Sequence, residues 1–123
     1  MSATDINFFF SMREQIKLYH WQTHSFAQHK ATDDVISALD ESIDNYVEVY
    51  MGKYGRPKVT GGSNIVRVQN MTEKTAVKFI KTCITYLEGP LIKRLKPVDT
   101  DLVNIRDEML GELNKILYLF TLK

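Results

Sequence analysis

Residues 26–52, FAQHKATDDVISALDESIDNYVEVYMG, decide the fold. Neither proline nor glycine interrupts them before Gly52, and Val35, Leu39, Ile43, Tyr46 and Tyr50 recur every three or four positions. That period belongs to an α-helix with one apolar stripe, so the spacing predicts a long helix over 26–51, with Gly52 as its stop. A second row runs beside the stripe: His29, Asp33, Asp40, Asp44 and Glu48, at intervals of four, seven, four and four. At about 100° per residue all five project within a window of about 100° that adjoins the apolar stripe. They are therefore expected at the margin of a packed interface. A merely solvated face would mix Lys and Arg into such a row, and only Lys30 stands at its rim. Carboxylates stacked on one face repel, so a cation is expected among them; a plain acidic surface is the competing reading.

On the N-terminal side, Phe9, Met12, Ile16 and Tyr19 mark one face of a first helix over residues 5–22. The chain's three histidines, His20, His24 and His29, all fall around the junction of these two helices. Imidazole together with carboxylate suits iron, manganese or zinc, whereas calcium and magnesium prefer all-oxygen sites. His20 reads as a ligand paired with His29. His24, inside the turn, is a weaker candidate that solvent can satisfy equally well.

On the C-terminal side, residues 52–71 are rich in Gly, Pro and turn formers and read as a crossover, with room for a small hairpin. Thr72 can cap a third helix through Val77, Ile80, Ile84 and Leu87, which Gly89-Pro90 kinks or ends, with further turns to about residue 95. After Pro97, Asp99 or Thr100 can cap a last helix over 99–121, with Leu102, Ile105, Met109, Leu113, Ile116 and Phe120 on one face. Four amphipathic helices with a long second-to-third connection make an all-α, ferritin-like bundle with a crossover rather than an up-and-down bundle.

Composition fits one domain over residues 1–123, since 123 residues with 44% apolar content can furnish a single core. Sixteen basic and fifteen acidic residues nearly cancel and are scattered, so nucleic-acid binding has no footprint. The apolar runs Phe8-Phe9-Phe10 and Leu117-Tyr118-Leu119-Phe120 are too short to cross a bilayer, and no signal segment is visible. A cytoplasmic protein is expected. The single cysteine, Cys83, lies in an apolar helical pattern and reads as a packed thiol.

Geometry limits how the candidate ligands can share an ion. Asp44 follows His29 by 15 residues, roughly 22 Å along a helix. Two copies packed antiparallel about a two-fold axis near Ala38-Leu39 would set His29 and Asp33 of one against Asp44 and Glu48 of the other, twice. A site within one bundle would instead draw Glu-x-x-His motifs from two helices, and the sequence contains none.

Tyr19-His20-Trp21, Phe26-x-x-His29-x-x-x-Asp33 and Asp44-x-x-x-Glu48 resemble the ferroxidase signature of the Dps mini-ferritins. Asp99-Thr100-Asp101-Leu102-Val103 and Glu112-Leu113-Asn114-Lys115 resemble the start and middle of that family's last helix. The resemblance implies that His20, His29 and Asp33 of one subunit act with Asp44 and Glu48 of its two-fold partner. Within that set the carboxylates anchor iron, Glu48 bridges, and the histidines set selectivity. It also implies a hollow homo-oligomer, a dodecamer, that oxidises Fe(II) with oxygen or peroxide and stores the ferric mineral. The turn between His20 and His29 is shorter than the family's, so His24 can replace or supplement His20. No Lys-rich extension precedes Asp5, so the family's DNA binding is not expected. Short relatives of this type occur in phages and large DNA viruses, which would place such a chain in a host cytoplasm or a virion. Asp40 is read as a carboxylate for iron uptake or nucleation, or as a solvated one. Trp21, Tyr46, Tyr50 and Tyr54 are assigned to packing. The alternative functions are a non-catalytic ferritin-like assembly or structural protein, and a zinc-stabilised dimer.

Overall fold

The structure, a computed structural model, describes residues 1–122; Lys123, the last position of the expected domain, lies outside the described residues. It is all-helical, with no strand among the described residues. Helix α1 spans Ala3–Gln22 and begins at Ser2, whose hydroxyl accepts a hydrogen bond from the Asp5 N–H at 3.2 Å. Residues 23–25 link it to α2, Phe26–Tyr54, where Ser25 caps in the same way through the Gln28 N–H. Gly52 does not stop this helix, as its spacing had implied. It lies inside α2, which runs three residues past the expected end and closes at Gly55. Gly55 has φ +95°, a region that favours glycine, and that backbone requirement is what ends the helix.

Helix α3, Glu73–Glu88, opens on a capping box in which Thr72 and Thr75 satisfy each other's backbone N–H groups. Gly89-Pro90 ends it rather than bending it, because proline offers no N–H and crowds the preceding turn. The expected third helix to residue 95 is therefore α3 plus one short turn, α4, Pro90–Lys93. Helix α5 spans Thr100–Leu119. Asp99 sits at its N-cap position, but its carboxylate does not cap the helix; it serves a cluster with Lys53, Tyr54 and Lys96.

The cross-links fix the directions. Residues 55–72 contain no hairpin. They run as irregular chain along α1 from its start to its end, held where Asn7 donates to the Ser63 and Ile65 carbonyls. Further along, Gln15 pairs with both the N–H and the carbonyl of Gln69, and Gln22 accepts from the Met71 N–H. The chain thus starts α3 beside the start of α2, where Gln28 donates to Glu73 at 2.9 Å. At the far end the carboxylate of Asp5, 3% exposed, accepts from Tyr86 at 2.6 Å and Arg94 at 2.8 Å, and Phe8 stacks on Tyr86. Helices α2 and α3 are consequently parallel, and α1 and α5 run against them. Helix α2 packs on α1 and α5, while α3 touches α5 and α1, so the four long helices close a ring.

One core fills that ring. The predicted faces meet in it: Phe9, Met12, Ile16 and Tyr19; Val35, Leu39, Ile43 and Tyr46; Ile80 and Leu87; and the α5 stripe from Leu102 to Phe120. Each fully buried leucine or isoleucine contributes about 1.5–3 kcal/mol. Tyr50, Val77 and Ile84 are only partly buried at its edge. Cys83 lies within the core, and burial pushes its thiol up to about 12, so it is a packed, protonated group. No helix among the described residues is long and apolar enough to cross a membrane.

Candidate metal centre

The short link between α1 and α2 brings His20, in the last turn of α1, against His29, in the first turns of α2. Their rings stack with centroids 3.9 Å apart and planes 17° from parallel. Each ring also holds the other's backbone: His20 Nδ1 lies 2.8 Å from the His29 carbonyl, and His29 Nδ1 lies 2.8 Å from the His20 carbonyl. A carbonyl has no proton to give, so both Nδ1 atoms donate. In the neutral ring that places the free lone pair on Nε2 of each histidine, the tautomer that a metal-binding imidazole needs when its other nitrogen is fixed.

Thr32 completes the arrangement and was not visible in the sequence as a site residue. It is fully buried, and its hydroxyl lies 2.9 Å from His20 Nδ1 while donating to the Gln28 carbonyl at 2.8 Å. Its one sequence signal is a position three residues beyond His29 on the same side of α2. His20 itself is 6% exposed, whereas His29 faces solvent.

The carboxylates follow along α2. Asp33 stands one turn beyond His29, and Asp33, Asp44 and Glu48 are all exposed with no ion pair among the described residues. Because α2 is unbroken from Phe26 to Tyr54, Asp44 and Glu48 stay several turns from the histidines of their own chain. Among the described residues no three His, Cys, Asp or Glu side chains of one chain gather closely enough to hold an ion. One chain therefore joins His20 to His29 and leaves Asp44 and Glu48 apart from them. Asp44 edges an apolar hollow between α1 and α2 lined by Ile6, Phe9, Phe10, Arg13 and Val47.

Asp40 departs from the expected row. Arg13 reaches it from α1 at 3.2 Å while also pairing with Glu14, so Asp40 is not an unopposed carboxylate. The row on α2 holds no base beside Asp40; its partner comes from the neighbouring helix, in the register that the short link sets between α1 and α2. His24 is exposed and lines a crevice with Tyr19, Gln28 and Glu73, which neither His20 nor His29 lines.

Trp21 does not pack, contrary to its assignment. It is 67% exposed, pointing off the core face of α1, with Lys17 Nζ 5.4 Å from its ring centre. Of the tyrosine row, Tyr46 is core and Tyr50 half-buried. Tyr54 is 40% exposed, and its hydroxyl donates to Asp99 at 2.6 Å.

No curated protein and no solved structure matches this chain. A family does, and its match runs over residues 20–120, from the first of the paired histidines to the end of the last helix. The chain belongs to that family, a family of unknown function (DUF5856).

Proposed function

We propose that this chain is a ferritin-like protein that oxidises Fe(II) at sites shared between two copies and holds the ferric product in a cage-like homo-oligomer. The observation that carries the reading is the His20–His29 clasp, two imidazoles with both Nδ1 atoms committed to backbone carbonyls and Asp33 one turn away. A nitrogen and oxygen donor set of this kind suits iron, and manganese or zinc after it. The missing oxygen donors are Asp44 and Glu48 of a second copy, brought opposite by antiparallel packing of two α2 helices near Ala38-Leu39.

In this reading iron is the substrate. The imidazoles and carboxylates bind Fe(II) and leave positions open for an oxidant; two Fe(II) and one peroxide, with two protons, give two Fe(III) and two waters. Glu48 and Asp44 anchor the ions, Asp33 and His29 complete the set, and Thr32 keeps His20 in the ligating tautomer.

The test is aerobic Fe(II) oxidation, followed by the ferric absorbance in the near ultraviolet. The wild type is compared with His29→Ala and Glu48→Ala singly and mixed in one sample. Each variant alone loses the reaction, and mixed dimers regain part of it. Rates equal to wild type in both variants end the proposal. A second reading, a non-catalytic helical assembly protein, draws on the exposure of Trp21 and Phe26 at the histidine end of the bundle. It gains if light scattering shows a large particle that does not oxidise iron. Metal analysis of the purified protein distinguishes a zinc-stabilised dimer from both.

A further inference from the structure

Trp21 is the chain's one tryptophan, and the end of α1 leaves it 67% exposed with Lys17 Nζ 5.4 Å from its ring centre. Phe10, 43% exposed, stands on the same side of α1, since Phe10, Lys17 and Trp21 follow one another at intervals of seven and four. This stripe adjoins the outer row of α2, because Arg13 beside it reaches Asp40. Tryptophan is ordinarily well buried, and aromatic side chains left on a surface are enriched where proteins meet.

The same face holds a hollow of about 230 Å³ between α1 and α2, lined by Ile6, Phe9, Phe10, Ile43, Val47 and Pro57. A dry cavity of about 150 Å³ holds a benzene ring, so this one admits a bicyclic indole. Its charged members are Arg13 and Asp44. Arg13 is committed to Glu14 and Asp40, whereas Asp44 and Lys17 have no ion pair among the described residues. One part of the face therefore offers an indole beside an unpaired ammonium, and another offers an apolar hollow beside an unpaired carboxylate.

Antiparallel packing about Ala38-Leu39 brings these two parts together. Within one chain α1 runs against α2, and His20 stacks on His29 and lies 2.9 Å from Thr32, so Lys17 stands about level with Asp33 and Trp21 about level with His29. That packing sets Asp33 opposite Asp44 of the other copy, and His29 opposite Glu48. Lys17 then arrives level with Asp44, and Trp21 level with Glu48, whose neighbour Val47 lines the hollow. A two-fold axis perpendicular to the paired helices leaves both α1 helices on the same side of them, the side on which the hollow opens. We propose that Trp21 of each copy inserts into the hollow of the other, with Lys17 closing on one carboxylate oxygen of the partner's Asp44 and leaving the second for an ion. The inference takes its register from the shared-site reading and rests on it there; it adds what seats the two copies before any metal arrives.

The experiment uses the full chain in chelator, so that pairing is read without metal. Expected are a dimer, or a larger particle built from it, by light scattering, and a Trp21 emission shifted to the blue and several-fold less accessible to acrylamide than in the Lys17→Glu variant. Lys17→Glu and Asp44→Lys each set like charges together at both contacts and should each weaken pairing by at least about ten-fold. Trp21→Ala should weaken it by about thirty-fold, as the loss of a central aromatic anchor does. Mixing the Lys17→Glu chain with the Asp44→Lys chain should restore pairing, because both contacts in the mixed pair join opposite charges. That rescue separates a lost contact from a misfolded chain. The proposal is overturned by a paired particle whose Trp21 stays open to acrylamide, by single variants that pair as the wild type does, or by a mixture that does not recover. A chain that stays monomeric in chelator and pairs only when Fe(II) is added also overturns it, and leaves the iron reading standing. Pairing through Trp21 with no oxidation of Fe(II) supports it and removes the iron reading alone.

Discussion

Asp99 carries more of the structure than its place before α5 would indicate. It is 1% exposed, and its carboxylate accepts from Tyr54 at 2.6 Å, the Lys96 N–H at 2.8 Å and Lys53 at 2.9 Å. The Tyr54 bond leads, the Lys96 N–H and the Lys53 ammonium add to it against the opposing effect of burial, and together they hold the group at about 2, below its ordinary 3.8. A depressed folded value stabilises the fold above the unfolded one, and that contribution disappears as pH falls through about 2. The stability gap between wild type and Asp99→Asn, from urea denaturation, is therefore expected to be full at neutral pH and to shrink between pH 4 and 2. A gap constant with pH would mean that shape, not charge, matters at this position. Nothing in the sequence marked Asp99 as more than a cap, because its partners come from α2 and from the preceding loop. His20 and His29 were legible for the opposite reason: both flank a short turn, so proximity follows from local spacing. Thr32 and Arg13 were not, since a buried threonine or a surface arginine acquires meaning only from the helix it faces.

Between residues and molecule, the helices were the most legible level. Four apolar stripes at helical period located all four long elements, and the errors fall at their ends. Gly52 and Gly55 separate two roles that look alike in sequence. Gly52 sits in regular helix with nothing within 4 Å of an added Cβ, while Gly55 holds φ +95°. Gly52→Ala is expected to raise stability by about 0.5–1 kcal/mol by restricting the unfolded chain. Gly55→Ala is expected to lower it by about 1 kcal/mol or more, because an L side chain strains that backbone. Chemical denaturation followed by circular dichroism reads both, and a stabilised Gly55→Ala would contradict the assigned end of α2. The hairpin expected in the crossover fails for a related reason. Ile65-Val66-Arg67-Val68 has strand-like residues, but it is held at both ends by side chains of α1, Asn7 on the Ile65 carbonyl and Gln15 on both backbone groups of Gln69, and it runs along that helix instead of pairing with a second strand.

At the level of the whole molecule, the length of the crossover alone foretold that α2 and α3 run parallel, since a short link would have made them antiparallel. What could not be foretold is the path of that crossover. Pro57 starts it beside Phe10 and Arg13 near the α2 side of α1, and Met71 ends it beside Ala76 and Ile80, on the side of α3. The hydrogen bonds from Gln15 are central to this path. Gln15→Ala is expected to leave the helical circular dichroism signal intact while making residues 58–70 several-fold more susceptible to limited proteolysis. Unchanged cleavage would show that the flanking contacts of Asn7 and Gln22 suffice. The same path has a consequence for motion. An N-terminal helix is ordinarily free to peel away first, but here it lies beneath a belt fastened at three points along its outer surface. Amide protons of α1 should then exchange with solvent no sooner than those of α2, so that the two behave as one cooperative unit and the chain's leading end is among its last parts to loosen.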